Sequence, residues 1–336
     1  PSTNFINSGG PGRGDELASI RGLSAVADNT TGVVAEYLDG APHFGRSYRI
    51  FDIGEVSVLR GPQGTLWGSQ AIGGLISFRS NRPDHSALYG EASADMYTSK
   101  NDSGTSYRAY GMVNMPIVSD TFSMRFAGHH IDESGYVRNA RTGTAGINNV
   151  KESAWRLSAL WDITEDAQLT LIYHGNDLKT DAPTFFDIEI SDDQQQIDLP
   201  VDYNPTNQEY DLFNVIFDYN FGWSTFNYTG SFFSNDAGYS DYRDGPGFTL
   251  IETQSVREED STTHEARLAS LSDSKLQWIV GLYSDDYDLF DQGTDFTESL
   301  KTLLQTLSQI ERKTTQRGKT WLTPQVVLFS DGESHH

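Results

Sequence analysis

The sequence predicts a mainly β protein, with a small α+β domain over residues 1–85 followed over 86–336 by part of an antiparallel transmembrane β-barrel. Three observations carry this. At Arg82-Pro83 the chain changes from short apolar stretches broken by glycine to longer alternating segments. The alternation has period two, one apolar face against one polar face, as strands require. The connections run short, long, short, long, the pattern of a barrel with tight turns on one side of a membrane and long loops on the other.

The first region is crowded with glycine, in stretches such as Ser19-Ile20-Arg21-Gly22, residues 33–40 and residues 55–61. Gly61, Gly64, Gly68, Gly73 and Gly74 permit tight turns and close backbone approach within a compact domain. Asp39-Gly40 is a turn dipeptide at the end of a strand. Arg21 and Arg60 stand beside glycine in apolar surroundings, so they are either solvent-exposed or buried with carboxylate partners.

The second region alternates. Phe122, Met124, Phe126 and Gly128 oppose Thr121, Ser123, Arg125 and His129. Trp155, Leu157, Ala159 and Trp161 oppose Arg156 and Ser158; Leu169, Leu171 and Tyr173 oppose Gln168 and Thr170. The same holds for Phe213 to Tyr219 and for Phe226 to Phe232, and less cleanly for 263–271 and 276–284. Nine strands are expected in all, with Thr320 to Leu328 a poor tenth because Pro324 interrupts it. Tight turns are read at 118–120, 164–166, 220–222 and 272–275, and long connections at 133–150, 175–208, 235–262 and 285–319. Trp155, Trp161, Tyr173, Tyr219 and Trp223 at strand ends suit interfacial girdles, although aromatic residues favour strands in any case. Leu300, Leu303, Leu304, Leu307 and Ile310 form a helical stripe within 296–312, read as a short loop helix.

Composition narrows the function classes. A net charge of -23 over 336 residues argues against a nucleic-acid partner, which needs a positive footprint. There is no cysteine, hence neither a disulfide framework nor a thiolate metal site. No apolar run approaches the roughly 20 residues of a membrane helix, but a membrane strand needs only about 9 to 11. A mean hydropathy of -0.49 fits a barrel or a soluble β protein equally. The chain opens at Pro1 without initiator Met or signal peptide and stops within 329–336 without an evident end, so missing sequence is expected on both sides.

Four ordered blocks resemble the TonB-dependent outer-membrane receptor family. Ser19 to Gly22 resembles its "IRG" signature, and Val33 to Gly40 its "VAVYVDG" strand and turn. Residues 51–68, with Val58-Leu59-Arg60-Gly61-Pro62-Gln63-Gly64-Thr65-Leu66-Trp67-Gly68, are similar to "IERIEVLRGPQGTLYG". Residues 71–78 followed by Arg82-Pro83 resemble "AIGGVINI" and "KRP". The likeness covers about residues 17–85; beyond them it is looser, resting on 265–270 and 276–278.

The resemblance implies a plug domain followed by the first strands of a barrel that has about 22 in the family. It implies a Gram-negative outer-membrane location, a lipid-facing wall, and active uptake energised by the TonB-ExbB-ExbD complex through a TonB box that this sequence does not include. The cargo it implies is most often a ferric siderophore, with haem, cobalamin or carbohydrate as alternatives. A passive or adhesive surface protein is the competing reading. Plug arginines of the two motifs, here Arg21 and Arg60, would contact barrel glutamates, and Gly22, Asp39, Gly40, Gly61, Gly64, Gly68, Gly73 and Gly74 belong to the same motifs. Ligand-facing plug loops would be residues 24–31 and 41–49. The second carries His43, Phe44, Arg46, Tyr48 and Arg49, a stacking and cationic set suited to a large anionic chelate, or else an ordinary exposed loop.

No nucleophile elbow, P-loop or HExxH motif occurs, so neither an enzyme nor a resident cofactor or metal is expected. His129 and His130 are strand neighbours and point to opposite faces, so they cannot share one ion. Arg13-Gly14-Asp15 is read as a chance tripeptide. The acidic stretch Asp187, Glu189, Asp192, Asp193, Asp198 and Asp202 is either a solvated loop or a cation-attracting one.

Overall fold

The computed structural model describes residues 3–7, 16–20, 23–24, 34–42, 51–61, 73–98, 103–181, 196–198, 206–245, 248–271, 276 and 278–293. All lie in one compact unit, Pro1–Gly293. Three small sheets and one large sheet are built from eighteen strands.

The plug contributes β1 (Thr3–Asn7), β2 (Glu16–Ile20), β3 (Leu23–Ser24), β4 (Val34–Leu38), β5 (Ala41–Pro42), β6 (Ile53–Arg60) and β7 (Gly74–Ser80). Strands β1, β2 and β3 form one antiparallel sheet, and β5, β4, β7 and β6 form a second in that order, with β4 parallel to β7. The mainly β expectation holds, while of the α+β expectation for the first domain the described residues show strands and no helix. Asp39 and Gly40, at φ 54° and 88°, turn the chain tightly from β4 into β5, the positive-φ pair that a two-residue hairpin turn demands. Gly74, at φ 148°, cannot carry a side chain. A Cβ there would lie 2.5 Å from the Leu59 carbonyl and 2.7 Å from Ile20 Cδ1.

The wall follows as β8 (Tyr89–Tyr97), β9 (Ser106–Val118), β10 (Phe122–Glu133), the short β11 (Arg138–Asn139), β12 (Val150–Thr164), β13 (Ala167–Thr180), the short β14 (Gln196–Ile197), β15 (Thr206–Asn220), β16 (Ser224–Gly245), β17 (Phe248–Ser270) and β18 (Ile279–Gly293). Nine of these pair antiparallel with sequential neighbours into one sheet that runs from β8 at one edge to β18 at the other. The turns at 118–120, 164–166 and 220–222 stand where the sequence places them. The connection at 272–275 lies outside the described residues, as do 296–312 and the poor tenth strand.

One long connection is corrected. Residues 235–262 are not a loop; they are the outer halves of β16 and β17, in register from Asn235↔Glu259 to Arg243↔Ile251. The sequence there shows no sustained period-two apolar alternation, and backbone pairing is what defines the strands. The loops after β13 and β18 likewise begin later than expected, at 181 and beyond Gly293. Across the remaining loops, β11 and β14 pair in parallel, and Arg141 grips Asp198 through Nε at 2.7 Å and Nη2 at 3.0 Å. Asp198 of the acidic stretch is thus held by a guanidinium.

Burial along these strands is inverted relative to a water-soluble sheet. Phe126 and Leu157 are 45% and 42% exposed, while Arg125 and Arg156 next to them in alternation are 4% and 2% exposed. Apolar side chains face outward and charged ones inward, as lipid on one side and protein on the other dictate. At the turn end, Tyr219, Phe221, Trp223 and Trp278 form a chain of ring contacts at 4.6, 6.1 and 6.3 Å. Trp155 lies on the same face as Trp161, about 20 Å along the strand, and stacks on Tyr173 at 5.3 Å. Its indole lies over Gly175, where a Cβ would come within 2.1 Å of the ring. Among the described residues no helix is long and apolar enough to cross a membrane, which says nothing of crossing by strands.

Candidate functional site between plug and wall

The inner face of the wall mixes buried polar and charged side chains with apolar ones. Tyr210, Leu212 and Phe233 point inward from β15 and β16 and close one core with Ile20, Val34, Leu38, Ala41, Ile76 and Phe78 of the plug. Burying each such side chain contributes about 1.5–3 kcal/mol, so this patch fixes which face of the plug sheet meets the wall.

Beside the apolar patch, charge does the locating. Asp52 sits at φ 51° just before β6, and its side chain is 2% exposed. Arg125 of β10 donates to it through Nε at 2.9 Å and Nη2 at 2.6 Å, a two-pronged grip. Arg156 of β12 donates Nη2 to the same carboxylate at 2.7 Å and to the Asp52 carbonyl at 2.7 Å, and Nη1 to the Phe51 carbonyl at 3.3 Å. Its guanidinium also lies over the Phe51 ring, 5.1 Å from the centroid. Asn81 donates to Asp52 Oδ1 at 2.8 Å, the oxygen that also accepts from Arg125 Nη2. Burial by itself would raise the Asp52 carboxyl, but the hydrogen bonds from Arg125, Asn81 and Arg156 and the charge of Arg156 outweigh it and hold the group below its ordinary value.

Asp39 makes the second anchor. Its carboxylate accepts from the Ser80 amide at 2.8 Å and the Ser80 hydroxyl at 2.5 Å, and meets His174 Nε2 of β13 at 3.2 Å. Again burial pushes the carboxyl up, and His174 and Ser80 pull it below its usual range. The segment leading into β8 is held as firmly. Arg82 donates Nη1 to Thr170 Oγ1 at 2.9 Å, and His85 bridges Ser123 Oγ at 2.6 Å and Asp162 at 3.1 Å. Asn114 clasps residues 84 and 87 by three hydrogen bonds.

Of the residues singled out in the sequence, Asp39 and Gly40 stand at this interface; Gly61 at φ 86° donates its amide to Gly73 at 3.2 Å. Arg60 ends β6 with its side chain exposed. Arg21, Gly22, Gly64, Gly68 and the loop residues His43, Phe44, Arg46, Tyr48 and Arg49 lie outside the described residues. Where plug arginines and barrel glutamates were expected, the buried ion pairs between plug and wall among the described residues have the opposite polarity: plug acids against wall bases. Sequence reasoning passed over Asp52, Arg125, Arg156 and His174. A signal was available, because arginines on the non-lipid face of a wall strand need a carboxylate from elsewhere. His129 is buried 3.3 Å from Glu152 whereas His130 faces outward to Ser153, and no group of three potential metal ligands occurs among the described residues.

A cavity of about 160 Å³ opens between the plug sheet and the turn-side half of the wall, lined by Asp39, Gly40, Ser77 and Arg79 of the plug, by Arg82, and by Asn227, Glu265 and Arg267 of β16 and β17.

Comparison with known proteins agrees with this architecture. A family model described as TonB-dependent Receptor Plug Domain matches residues 1–75. The pesticin receptors of Yersinia pestis and Yersinia enterocolitica are 34% identical over 160 residues, which is 45% of this chain and 23% of theirs. The crystal structure of the ferric yersiniabactin uptake receptor of Yersinia pestis superposes with a TM-score of 0.72 at 20% identity, covering 88% of this chain and 46% of that one. The unliganded ferric citrate transporter gives 0.71 at 14%, covering 87% and 44%. At such identities the likeness is one of fold, and a copper transporter shares it with a TM-score of 0.65. The chain spans less than half the length of each of these relatives.

Proposed function

Because the chain belongs to the TonB-dependent receptor family of Gram-negative outer membranes, we propose that it supplies the plug and first wall strands of an active importer whose cargo is a ferric siderophore. The family is one of receptors and transporters, and no catalytic step is invoked. Residues 1–85 act as the plug and 86–336 as part of the barrel. The reading rests above all on the inverted wall, apolar outside and charged inside, with a plug sheet docked on its inner face through Asp52 and Asp39.

In this reading the loop bearing His43, Phe44, Arg46, Tyr48 and Arg49 meets the chelate at the outer mouth, with cationic and aromatic side chains complementing its anionic, partly aromatic surface. The TonB-ExbB-ExbD complex supplies the work that displaces the plug. No resident cofactor is required, since the iron is cargo.

Uptake of radiolabelled iron chelates tests the proposal, in cells expressing the full-length gene and grown with and without iron starvation. Expected are accumulation that depends on the proton-motive force and its loss in a strain lacking TonB. Equal accumulation with and without TonB rejects active import.

A further inference from the structure

We propose that the cavity between the plug sheet and strands β15–β17 is an anion-binding way-station, which takes carboxylate or similar anionic oxygens of a chelate on its way to the turn side. As a step in transport it rests on the import reading above; as an anion site it stands on its own geometry.

Three arginines line this cavity, Arg79, Arg82 and Arg267. Arg79 pairs with the exposed Glu55 at 3.2 Å, and Arg267 with Glu265. Arg82 differs from both. It is half-buried, and among the described residues it makes one hydrogen bond, to the neutral Thr170 hydroxyl, and no ion pair. A guanidinium carries five N–H donors in a rigid fork that matches a carboxylate, so Arg82 keeps most of its donors for another acceptor.

The acids nearby already have partners: the Asp39 carboxylate accepts from the Ser80 amide and hydroxyl and meets His174, and Glu265 pairs with Arg267. The uncharged lining, Ser77, Asn227 and Thr229, adds short polar side chains that can solvate an anion without competing for it. The position fits transit. Asn227 and Arg267 lie on the half of the wall nearest the tight turn 221–223, opposite the long loops, and Gly40 brings the plug backbone against Thr229 with a virtual Cβ only 3.6 Å from its Cγ2. A chelate passing between plug and wall on this side meets a spare cation before it leaves.

These 336 residues contain no cysteine, so the rate at one introduced thiol is read as the difference from the unsubstituted protein labelled in parallel. Ser77→Cys, and independently Asn227→Cys on the wall, are to be labelled in outer-membrane vesicles. The reagents are a sulfonate-bearing and a trimethylammonium-bearing methanethiosulfonate, with rates normalised to a small free thiol. The anionic reagent should react about tenfold faster than the cationic one, as a focused positive site requires. Adding Arg82→Gln should bring the two rates together, and Arg82→Lys should keep them apart. Equal rates, a cationic preference, or a preference untouched by Arg82→Gln at both positions overturns the site.

In cells showing TonB-dependent uptake, Arg82→Gln should lower the maximal rate about tenfold while leaving the half-saturating chelate concentration unchanged, and an unchanged maximal rate overturns the transit role. Absence of TonB-dependent uptake by the unsubstituted protein defeats the import reading and leaves the labelling ratio to decide the site.

Discussion

Replacing Asp52 by Asn tests whether buried charge locates the plug. The substitution keeps size and one acceptor but removes the counter-charge of two guanidinium groups whose side chains are 5% and 2% exposed. Three charge-assisted hydrogen bonds, at 2.9, 2.6 and 2.7 Å, lose their ionised acceptor. Removing one partner of a buried pair costs about 3–5 kcal/mol. Arg156 keeps the carbonyls of Phe51 and Asp52, so the lower half of that range is expected. At about 1.4 kcal/mol per decade, plug undocking should become roughly a hundred- to a thousandfold more frequent. Hydrogen exchange of the β6 and β7 amides, followed by mass spectrometry on the detergent-solubilised full-length protein, reads this directly. Glu55→Gln is the internal control, because Glu55 pairs with Arg79 on the same strands with both side chains more than half exposed, where such a pair contributes at most about 1 kcal/mol. If the two substitutions accelerate exchange by the same factor, burial is not what gives the Asp52 cluster its hold, and the reasoning fails.

Three other expectations follow from the same geometry. The carboxyls of Asp39 and Asp52 are both held below the ordinary value of 3.8, so their contribution to docking is complete above it and is lost as pH falls through the lowered values; β6–β7 exchange, corrected for its intrinsic pH dependence, should show no loss from these two groups between pH 7 and 5 and a loss only in stronger acid. Gly175→Val would drive a side chain into the Trp155 indole and cost about 1–3 kcal/mol, read as a lower urea midpoint for the folded band on unheated gels; Trp155→Ala in the same chain should relieve part of it. Gly74→Ala would force a methyl against the Leu59 carbonyl and Ile20, and protease sensitivity of the plug with an intact wall is the expected result. An unchanged digestion pattern would count against the assigned packing.

The wall was legible because lipid imposes a strict contrast. Trp155, Leu157 and Trp161 against Arg156 and Ser158 gave both the strand and the orientation of its faces. Where the contrast ends, legibility ended too: from Ser234 onward β16 shows no sustained period-two apolar alternation, and residues 235–262 read as a loop. The plug's turn at Asp39-Gly40 was local chemistry and could be read directly. The Asp52 cluster could not, because its partners stand 73 and 104 positions away, and a single sequence shows that Arg125 and Arg156 need an acid without showing which. The aromatic and cationic set at 43–49 was visible as composition, but no pattern in the chain orients it toward a ligand.

The continued pairing of β16 and β17 carries a two-stranded ladder beyond the points where β15 and β18 stop pairing with them. From Phe233 to Gly245 the ribbon runs about 40 Å along the strand, at about 3.3 Å per residue, with its backbone groups paired across to β17. A paired ribbon has fewer backbone conformations open to it than a loop of the same length. Anything that binds near its tip is held at a set stand-off and in a set orientation, and a push there is transmitted along the ladder to the wall at Leu212 and Phe233, where the plug rests.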